Sequence, residues 1–72
     1  MKRCERTLIA NNEGFGGNFK IYKCDWKDGH TTYDVFAYIG LKTYNYNGFK
    51  NMKNAFDKMK KYQQKAMENA LR

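Results

Sequence analysis

Three glycines surround one phenylalanine in the stretch NEGFGGNFKIY, residues 12–22, and glycine clusters of this kind often bind phosphate groups. A P-loop requires glycines that follow a strand, close with Gly-Lys-Ser or Gly-Lys-Thr, and open a helix. A dinucleotide-binding fingerprint also requires a helix after its glycines. Here the glycines precede an alternating, strand-like stretch and no Gly-Lys-Ser/Thr follows them. We therefore expect neither type of phosphate site.

The same glycines partly match the signature strand of RNA recognition motifs, in which a cation, Gly, Phe, Gly and an aromatic residue precede base-stacking residues. Glu13 occupies the position of the cation and Gly17 the position of the aromatic residue, and too few residues precede them for the required strand and helix. We interpret the segment as a turn between two strands. Phe15 then lies either beneath the sheet or exposed at the tip, where it could contact a partner.

The residues that could support catalysis or bind a metal are few and scattered. The single histidine, His30, follows a predicted turn and offers no base and orienting group for a nucleophile. Cys4 and Cys24 lack the paired spacing of a zinc site, so we expect free thiols, although a disulfide is possible if their strands are neighbours. We predict no catalytic residues, no metal, no cofactor and no enzymatic activity.

Positive charge is concentrated near the C-terminus. The net charge of the 72-residue chain is +7, and residues 49–72 carry seven Lys or Arg against Asp57 and Glu68. This asymmetry favours an acidic partner such as nucleic acid. The chain is also rich in Lys, Asn and Tyr and contains no Pro. An A+T-rich coding sequence produces that composition without selection for binding, and both interpretations stay open.

The N-terminal sequence and the hydropathy favour a cytoplasmic location, in the host cytoplasm if the protein is phage-encoded. MKRCERTLIANN contains only a short apolar run, whereas a signal peptide needs about seven apolar residues. No run in the sequence approaches the roughly 18 apolar residues of a membrane span.

The apolar pattern predicts an α+β fold in one small domain, residues 1–72. Strands are expected at about 4–11, 18–26 and 31–39, with a possible fourth at 42–46. Together they form an antiparallel sheet of three or four strands. One C-terminal amphipathic helix, at about 49–70, packs on this sheet, with Asn47 as its N-cap.

The two sides of the central hairpin depend on its turn. If Asp28 and Gly29 form a two-residue loop, Lys27 pairs with His30, and Cys24 and Trp26 share a face with the residues around Val35. This register predicts that the Cys24 face is buried. Phe36 and Tyr38 would then share the opposite face with the residues around Phe19, in a patch that is either covered or exposed as a contact surface.

The three-and-four spacing of apolar residues near the C-terminus predicts the buried stripe of the helix. The members of the stripe are Phe49, Met52, Ala55, Phe56, Met59, Tyr62, Ala66 and Ala70. Lysines occupy the other side of the helix, and aromatic residues suited to base stacking or protein contact lie in the sheet and its loops. The candidate binding residues are therefore Lys42, Lys50, Lys53, Lys58, Lys61, Lys65, Phe15, Tyr38, Tyr44 and Tyr46.

Three antiparallel strands followed by GFKNMKNAFDKMK, residues 48–60, resemble the arm-type DNA-binding domain of phage tyrosine integrases. In that family a glycine-phenylalanine step leads into an amphipathic helix and the sheet enters the major groove. The resemblance covers residues 18 to about 66. The family's sheet face is strongly basic, whereas Asp25 and Asp34 interrupt it in this chain.

These observations predict a small basic binding protein whose partner is nucleic acid or a nucleic-acid-handling complex. Because arginine is scarce, we expect contacts dominated by phosphate and weak sequence specificity. The alternative is an inhibitor that docks on a host protein such as a CRISPR-type or restriction complex. In size and composition the chain resembles small inhibitors of phages and mobile elements. A homodimer is possible, and we expect no membrane partner.

Overall fold

The computed structural model describes residues 4–14 and 16–71 and has the α+β fold predicted from the sequence. Within these residues, four antiparallel strands form one sheet in the order β1-β2-β3-β4, and one C-terminal helix packs on it. The fourth strand, expected only as a possibility, is present and extends three residues beyond the predicted end at residue 46. The elements are β1 (Cys4–Gly14), β2 (Gly17–Trp26), β3 (Thr31–Ile39), β4 (Lys42–Phe49) and α1 (Met52–Ala70).

The glycine-rich stretch forms the tight connection between β1 and β2. Gly14 pairs with Gly17, and Gly16 has a φ of 74°, which glycine adopts without steric cost. Gly17 lies on the side of the sheet that faces α1. A Cβ atom on Gly17 would lie 2.8 Å from Cζ of Phe19, whose side chain is 1% exposed. These glycines are therefore explained by a turn and by close packing.

The predicted register of the β2-β3 hairpin is wrong by one residue. Trp26, rather than Lys27, bonds to His30, and its N–H donates to the His30 carbonyl over 2.9 Å. The loop therefore contains three residues, and Gly29, with a φ of 98°, supplies the single left-handed position that such a loop requires. Asp25 pairs with Thr31 as a result.

The corrected register changes which residues form the core. Phe19 and Ile21 pair with Ala37 and Val35, and all four side chains are buried on the side of the sheet that faces α1. Trp26 lies on the opposite face with Cys24, so the prediction that these two share a buried face with Val35 is wrong. We call this opposite side the open face, because none of the described residues forms a second layer over it.

The helix begins later than predicted because β4 continues through a bulge. The register of β3 and β4 shifts near Asp34, and Gly48, with a φ of 87°, donates its N–H to Asp34 Oδ1 over 3.1 Å. The N-cap is Asn51 rather than Asn47, and its side chain accepts from Asn54 N–H over 2.8 Å.

Helix α1 packs through small side chains close to the sheet. Ala55, Met59 and Ala66 are buried. Alanine allows the helix backbone to approach the pleated surface, while Met59 fills the space between them. Met52 and Ala70 are exposed, so the predicted stripe is too long at both ends. The partly buried residues around this core are Ile9, Ala10, Tyr33, Tyr44, Phe49, Phe56 and Tyr62.

Candidate functional site

Lysine and tyrosine side chains line the junction between the outer strand β4 and one flank of α1. The structure brings six of the ten predicted binding residues to this junction or its margin. We call this set the lysine-tyrosine surface, and its members are Lys42, Tyr44, Tyr46, Lys58, Lys61 and Lys65.

Strand and helix periodicity together produce this surface. Tyr44 and Tyr46 pair with Ala37 and Val35, so both tyrosines are on the helix side of the sheet, at its edge. Lys58 and Lys65 are seven residues apart, about two helical turns, and therefore lie on one line along α1. These two lysines border the buried stripe on the flank of α1 nearest β4. Their ammonium groups therefore lie over tyrosine rings.

The ammonium groups contact the ring faces directly. Nζ of Lys58 lies 5.3 Å from the Tyr46 ring centroid and 5.2 Å from that of Tyr62. Nζ of Lys65 lies 5.5 Å from the Tyr44 ring centroid. At these distances each cation is attracted by the ring quadrupole, and the contact restrains a side chain that is otherwise flexible. The lysines are therefore partly ordered before any ligand arrives.

The rings themselves form two contacting pairs, and the Lys58 ammonium group lies over one ring of each pair. Tyr44 and Tyr62 have centroids 5.6 Å apart, and Tyr46 stacks on Phe49 with centroids 4.7 Å apart. Burial, followed by the neighbouring Tyr44 and Tyr46 phenols, raises the pKa of Tyr62. Tyr62 thus remains a neutral phenol at neutral pH, and Tyr46, which is 51% exposed, presents its ring to solvent.

A shallow hollow of about 240 Å³ extends this surface toward the start of the helix. Lys58 and Lys61 line it together with Phe49, Asn54 and Asp57. Asp57 also lies 3.5 Å from Lys53, four residues earlier on the same helix. The ion pair is highly exposed and contributes little to stability.

Four predicted residues lie elsewhere or cannot be placed. Tyr38 is on the open face, on the side of the sheet opposite to Tyr44. Lys50, which precedes the helix, and Lys53, in its first turn, are exposed, and Lys53 pairs with Asp57. Phe15 lies outside the described residues. The candidate set therefore divides between two sides of the sheet.

Apart from Tyr38, the predicted candidate residues did not include those that line the open face. Arg6, Tyr22, Trp26 and Phe36 border hollows there, together with Lys20. The one-residue error in the hairpin register separated Tyr22 from Phe36, which the structure brings into contact. Reading Gly29 as the sole left-handed residue of a three-residue loop would have placed them on one face.

Asp34 connects several groups on this face. Its carboxylate accepts the Gly48 N–H, accepts the Cys24 Sγ–H over 3.5 Å, and lies 3.9 Å from Arg6 Nη2. Burial is the largest cause that raises the pKa of Cys24 to about 12, and the Cys4 thiol and the charge of Asp34 act in the same direction. Cys24 is therefore a protonated, weakly nucleophilic thiol.

Two further sets of titratable groups are the cysteines and the residues at the hairpin tip. Cys4 and Cys24 are free thiols. Among the described residues, no group of three or more His, Cys, Asp and Glu side chains is placed to hold a metal ion. Asp28 contacts the ring and the backbone N–H of His30 at the exposed hairpin tip, and the backbone hydrogen bond is the main cause that lowers the pKa of Asp28.

Within residues 4–14 and 16–71, no helix combines the length and the apolar composition that crossing a bilayer requires. Comparison of the chain with protein-family models, curated proteins and solved structures finds no match.

Proposed function

We propose that the protein binds nucleic acid through the lysine-tyrosine surface. The observation that carries this proposal is the placement of Lys58 and Lys65 over tyrosine rings beside the outer strand, with Nζ to centroid distances of 5.2 to 5.5 Å. A phosphate backbone that follows this junction would meet ammonium groups at intervals. The rings of Tyr44 and Tyr46 would then supply flat surfaces for sugars and bases.

Charge distribution supports an anionic partner at this place. Lys42 lies on β4 two residues from Tyr44 and on the same side of the sheet, so it adds a fourth cation at the far end of the surface. Glu68 and Asp57 are the acidic residues of α1, and Asp57 is close to Lys53. The lysine flank therefore has a positive potential that attracts phosphate groups.

The expected binding is electrostatic and weakly selective for sequence. Lysine presents a point charge, whereas discrimination of base edges relies mainly on planar arginine and amide groups. Each lysine that contacts a phosphate releases condensed counterions, which adds about 0.9 to the logarithmic salt dependence on duplex DNA and about 0.7 on single strands. Affinity should therefore fall steeply with salt.

The test is a fluorescence anisotropy titration with labelled single-stranded and duplex DNA and RNA, at about 50 and 200 mM salt. The variant Lys58→Gln/Lys65→Gln should reduce the salt slope by about 1.4 on single strands. The matched control is Lys27→Gln/Lys60→Gln, which removes the same charge from exposed positions outside the surface. Equal effects of the two variants, or no binding by the parent at low salt, would refute the proposal.

A second candidate function is docking on a protein as an inhibitor. The observation that favours it is the exposed aromatic and apolar group at the start of α1, where Tyr46 stacks on Phe49 and Met52 is 44% exposed. Aromatic anchors of this kind dominate protein interfaces. If nucleic acid does not bind, pull-down of nucleic-acid-handling complexes should be lost with Tyr46→Ala and kept with Lys58→Gln/Lys65→Gln.

A further inference from the structure

The open face carries a second group of cations and aromatic rings, separate from the lysine-tyrosine surface. The pairing of β1 with β2 and of β2 with β3 places alternate residues of these strands on this side of the sheet. The residues that matter here are Arg6, Lys20, Tyr22, Phe36 and Tyr38.

The Arg6 guanidinium lies over two aromatic side chains, Tyr22 and Phe36. Its Cζ lies 4.5 Å from the Tyr22 ring centroid and 5.4 Å from that of Phe36, and these two rings meet edge to face at 5.5 Å. Asp34 Oδ2 lies 3.9 Å from Nη2 of Arg6. A guanidinium has five N–H donors, and one carboxylate contact leaves several for a ligand.

Two adjoining hollows open from this arrangement. One, of about 360 Å³, is lined by Arg6, Lys20, Tyr22, Phe36 and Tyr38. The other, of about 560 Å³, shares Arg6 and Phe36 and reaches Trp26. Both are open to solvent, and their size is that of sites for small planar ligands.

The chemistry of these hollows selects a planar, anionic occupant. Tyr38, 44% exposed, offers a ring face, while Arg6 and Lys20 offer positive charge beside it. Asp34 is already engaged by Arg6, Cys24 and Gly48. A second copy of this chain would bring the same cations against each other, so charge complementarity favours an anionic partner over self-association.

We propose that the open face binds unpaired bases of single-stranded nucleic acid, and that this site gives the protein a preference for single strands over duplexes. The inference rests on the proposed function and names its substrate class. Bases within a duplex are stacked on each other and cannot reach the exposed Tyr38 ring or the Arg6 guanidinium, which lies over the Tyr22 and Phe36 rings. Unpaired bases can stack there because every base has a π face.

The two surfaces meet at one end of the sheet. Tyr38 pairs with Thr43, and the next residue of each strand, Ile39 and Lys42, also pair. Tyr38 and Lys42 are therefore close to the same end of the β3-β4 pair, on opposite sides of the sheet. Neighbouring strands are about 4.8 Å apart. A flexible single strand can therefore pass over the β4 edge, with phosphates at Lys42 and bases on the open face, whereas a stiff duplex cannot.

The experiment uses the fluorescence of Trp26, the only tryptophan of the chain, as a reporter on the open face. Its indole N–H donates to Thr32 Oγ1 over 2.8 Å, and its ring stacks on His30 at 5.7 Å, so the ring is held in a defined position. The probes are an oligothymidylate, which cannot pair with itself, and a duplex of equal length. Parent, Tyr38→Ala, Tyr38→Phe and Thr43→Ala are compared.

Oligothymidylate should change the Trp26 emission of the parent, and Tyr38→Ala should weaken its binding about ten-fold, the effect of one lost stacking contact. Tyr38→Phe keeps the ring and should restore binding, and Thr43→Ala, on the same face beside Tyr38, should have no effect. The salt slope should be the same in all four proteins, since no phosphate contact is removed. Duplex binding should not respond to Tyr38→Ala.

The outcomes separate this inference from the proposed function. If Lys58→Gln/Lys65→Gln weakens both probes while Tyr38→Ala changes neither, the open-face site is refuted and the proposed function stands. If Tyr38→Ala weakens oligothymidylate binding while the lysine variant does not, the reverse holds. A dimer in sedimentation velocity that Tyr38→Ala dissociates would identify a second copy as the occupant and refute the inference.

Discussion

Substitution of Gly17 by alanine tests whether the glycine-rich stretch exists for packing or for ligand binding. A Cβ at this position would lie 2.8 Å from Phe19 Cζ, 3.2 Å from Phe19 Cε2 and 3.1 Å from the Tyr38 carbonyl oxygen. Phe19 is 1% exposed and the carbonyl belongs to the sheet, so neither can move freely. Overpacking of this kind costs about 1 to 3 kcal/mol.

Gly14→Ala is the matched control. Nothing lies within 4 Å of a Cβ at Gly14, which pairs with Gly17 across the same turn. Alanine restricts the unfolded chain at both positions and stabilises by about 0.4 to 1 kcal/mol where the native backbone accepts it. Subtracting the middle of that range from the middle of the overpacking range leaves Gly17→Ala destabilised by about 1.3 kcal/mol, whereas Gly14→Ala should be neutral or slightly more stable.

Urea unfolding followed by far-UV circular dichroism measures both effects, and the variant Phe19→Leu identifies their cause. Leucine lacks Cζ and Cε2, the atoms that the new methyl would meet. In a protein that already carries Phe19→Leu, Gly17→Ala should therefore cost about 1 kcal/mol less than in the parent. Equal costs in both backgrounds, or equal effects of the two alanines, would show that packing against Phe19 is not why glycine is needed. Gly14→Ala should also leave nucleic-acid affinity unchanged.

The remaining predictions concern the helix and the buried thiol. Asn51→Ala removes the side-chain cap on Asn54 N–H and should cost about 1 kcal/mol of unfolding free energy. Asn47→Ala, at the position predicted from the sequence, should change it by less than about 0.5 kcal/mol in the same urea titration. Met59→Ala empties a position that is 3% exposed and should cost about 2 to 4 kcal/mol, whereas Met67→Ala, on the exposed side of α1, should be nearly neutral. Burial raises the pKa of Cys24 from 9.0 to about 12, so the protonated thiol stabilises the fold below about pH 9, and this contribution is lost as the pH rises toward 12. The urea midpoint of the parent should therefore fall more steeply above about pH 9 than that of Cys24→Ala, and parallel curves would contradict the assigned pKa.

Local patterns were sufficient to predict the fold class. The alternation in residues 18–26 and 31–39, the Asp28-Gly29 turn and the helical spacing from Ala55 to Ala66 each depend on near neighbours in sequence, and the structure contains all the elements they indicate. The periodicity placed the lysines on the helix side opposite the buried stripe, and it did not predict that Lys58 and Lys65 contact tyrosine rings. Those contacts depend on how α1 packs beside β4.

The open face could not be predicted because it depends on single-residue choices at turns. A loop of two or three residues differs by one step of register, and one step moves every side chain of β3 to the other face relative to β2. Asp28-Gly29 is compatible with both loops. The β4 bulge has the same origin, since Asn47-Gly48 resembles the end of a strand, and only the Asp34 side chain across the sheet explains why the strand continues.

Asp34 also explains how such a small sheet can support two different surfaces. Its carboxylate projects from the centre of the open face, where it restrains Arg6, and it accepts the Gly48 N–H that a regular β3-β4 ladder would have bonded to backbone. The bulge sets the path of β4 between Tyr46 and Phe49, and therefore the position at which this strand meets Lys58. One helix can cover only one side of the sheet. In the part of the chain that the structure describes, the Tyr22 and Phe36 rings on the other side contact Arg6 instead. Asp34 interrupts the basic character of the sheet, and it also contributes to both surfaces. It contacts Arg6 on the open face, and through the bulge it positions β4, the strand that borders the lysine-tyrosine surface.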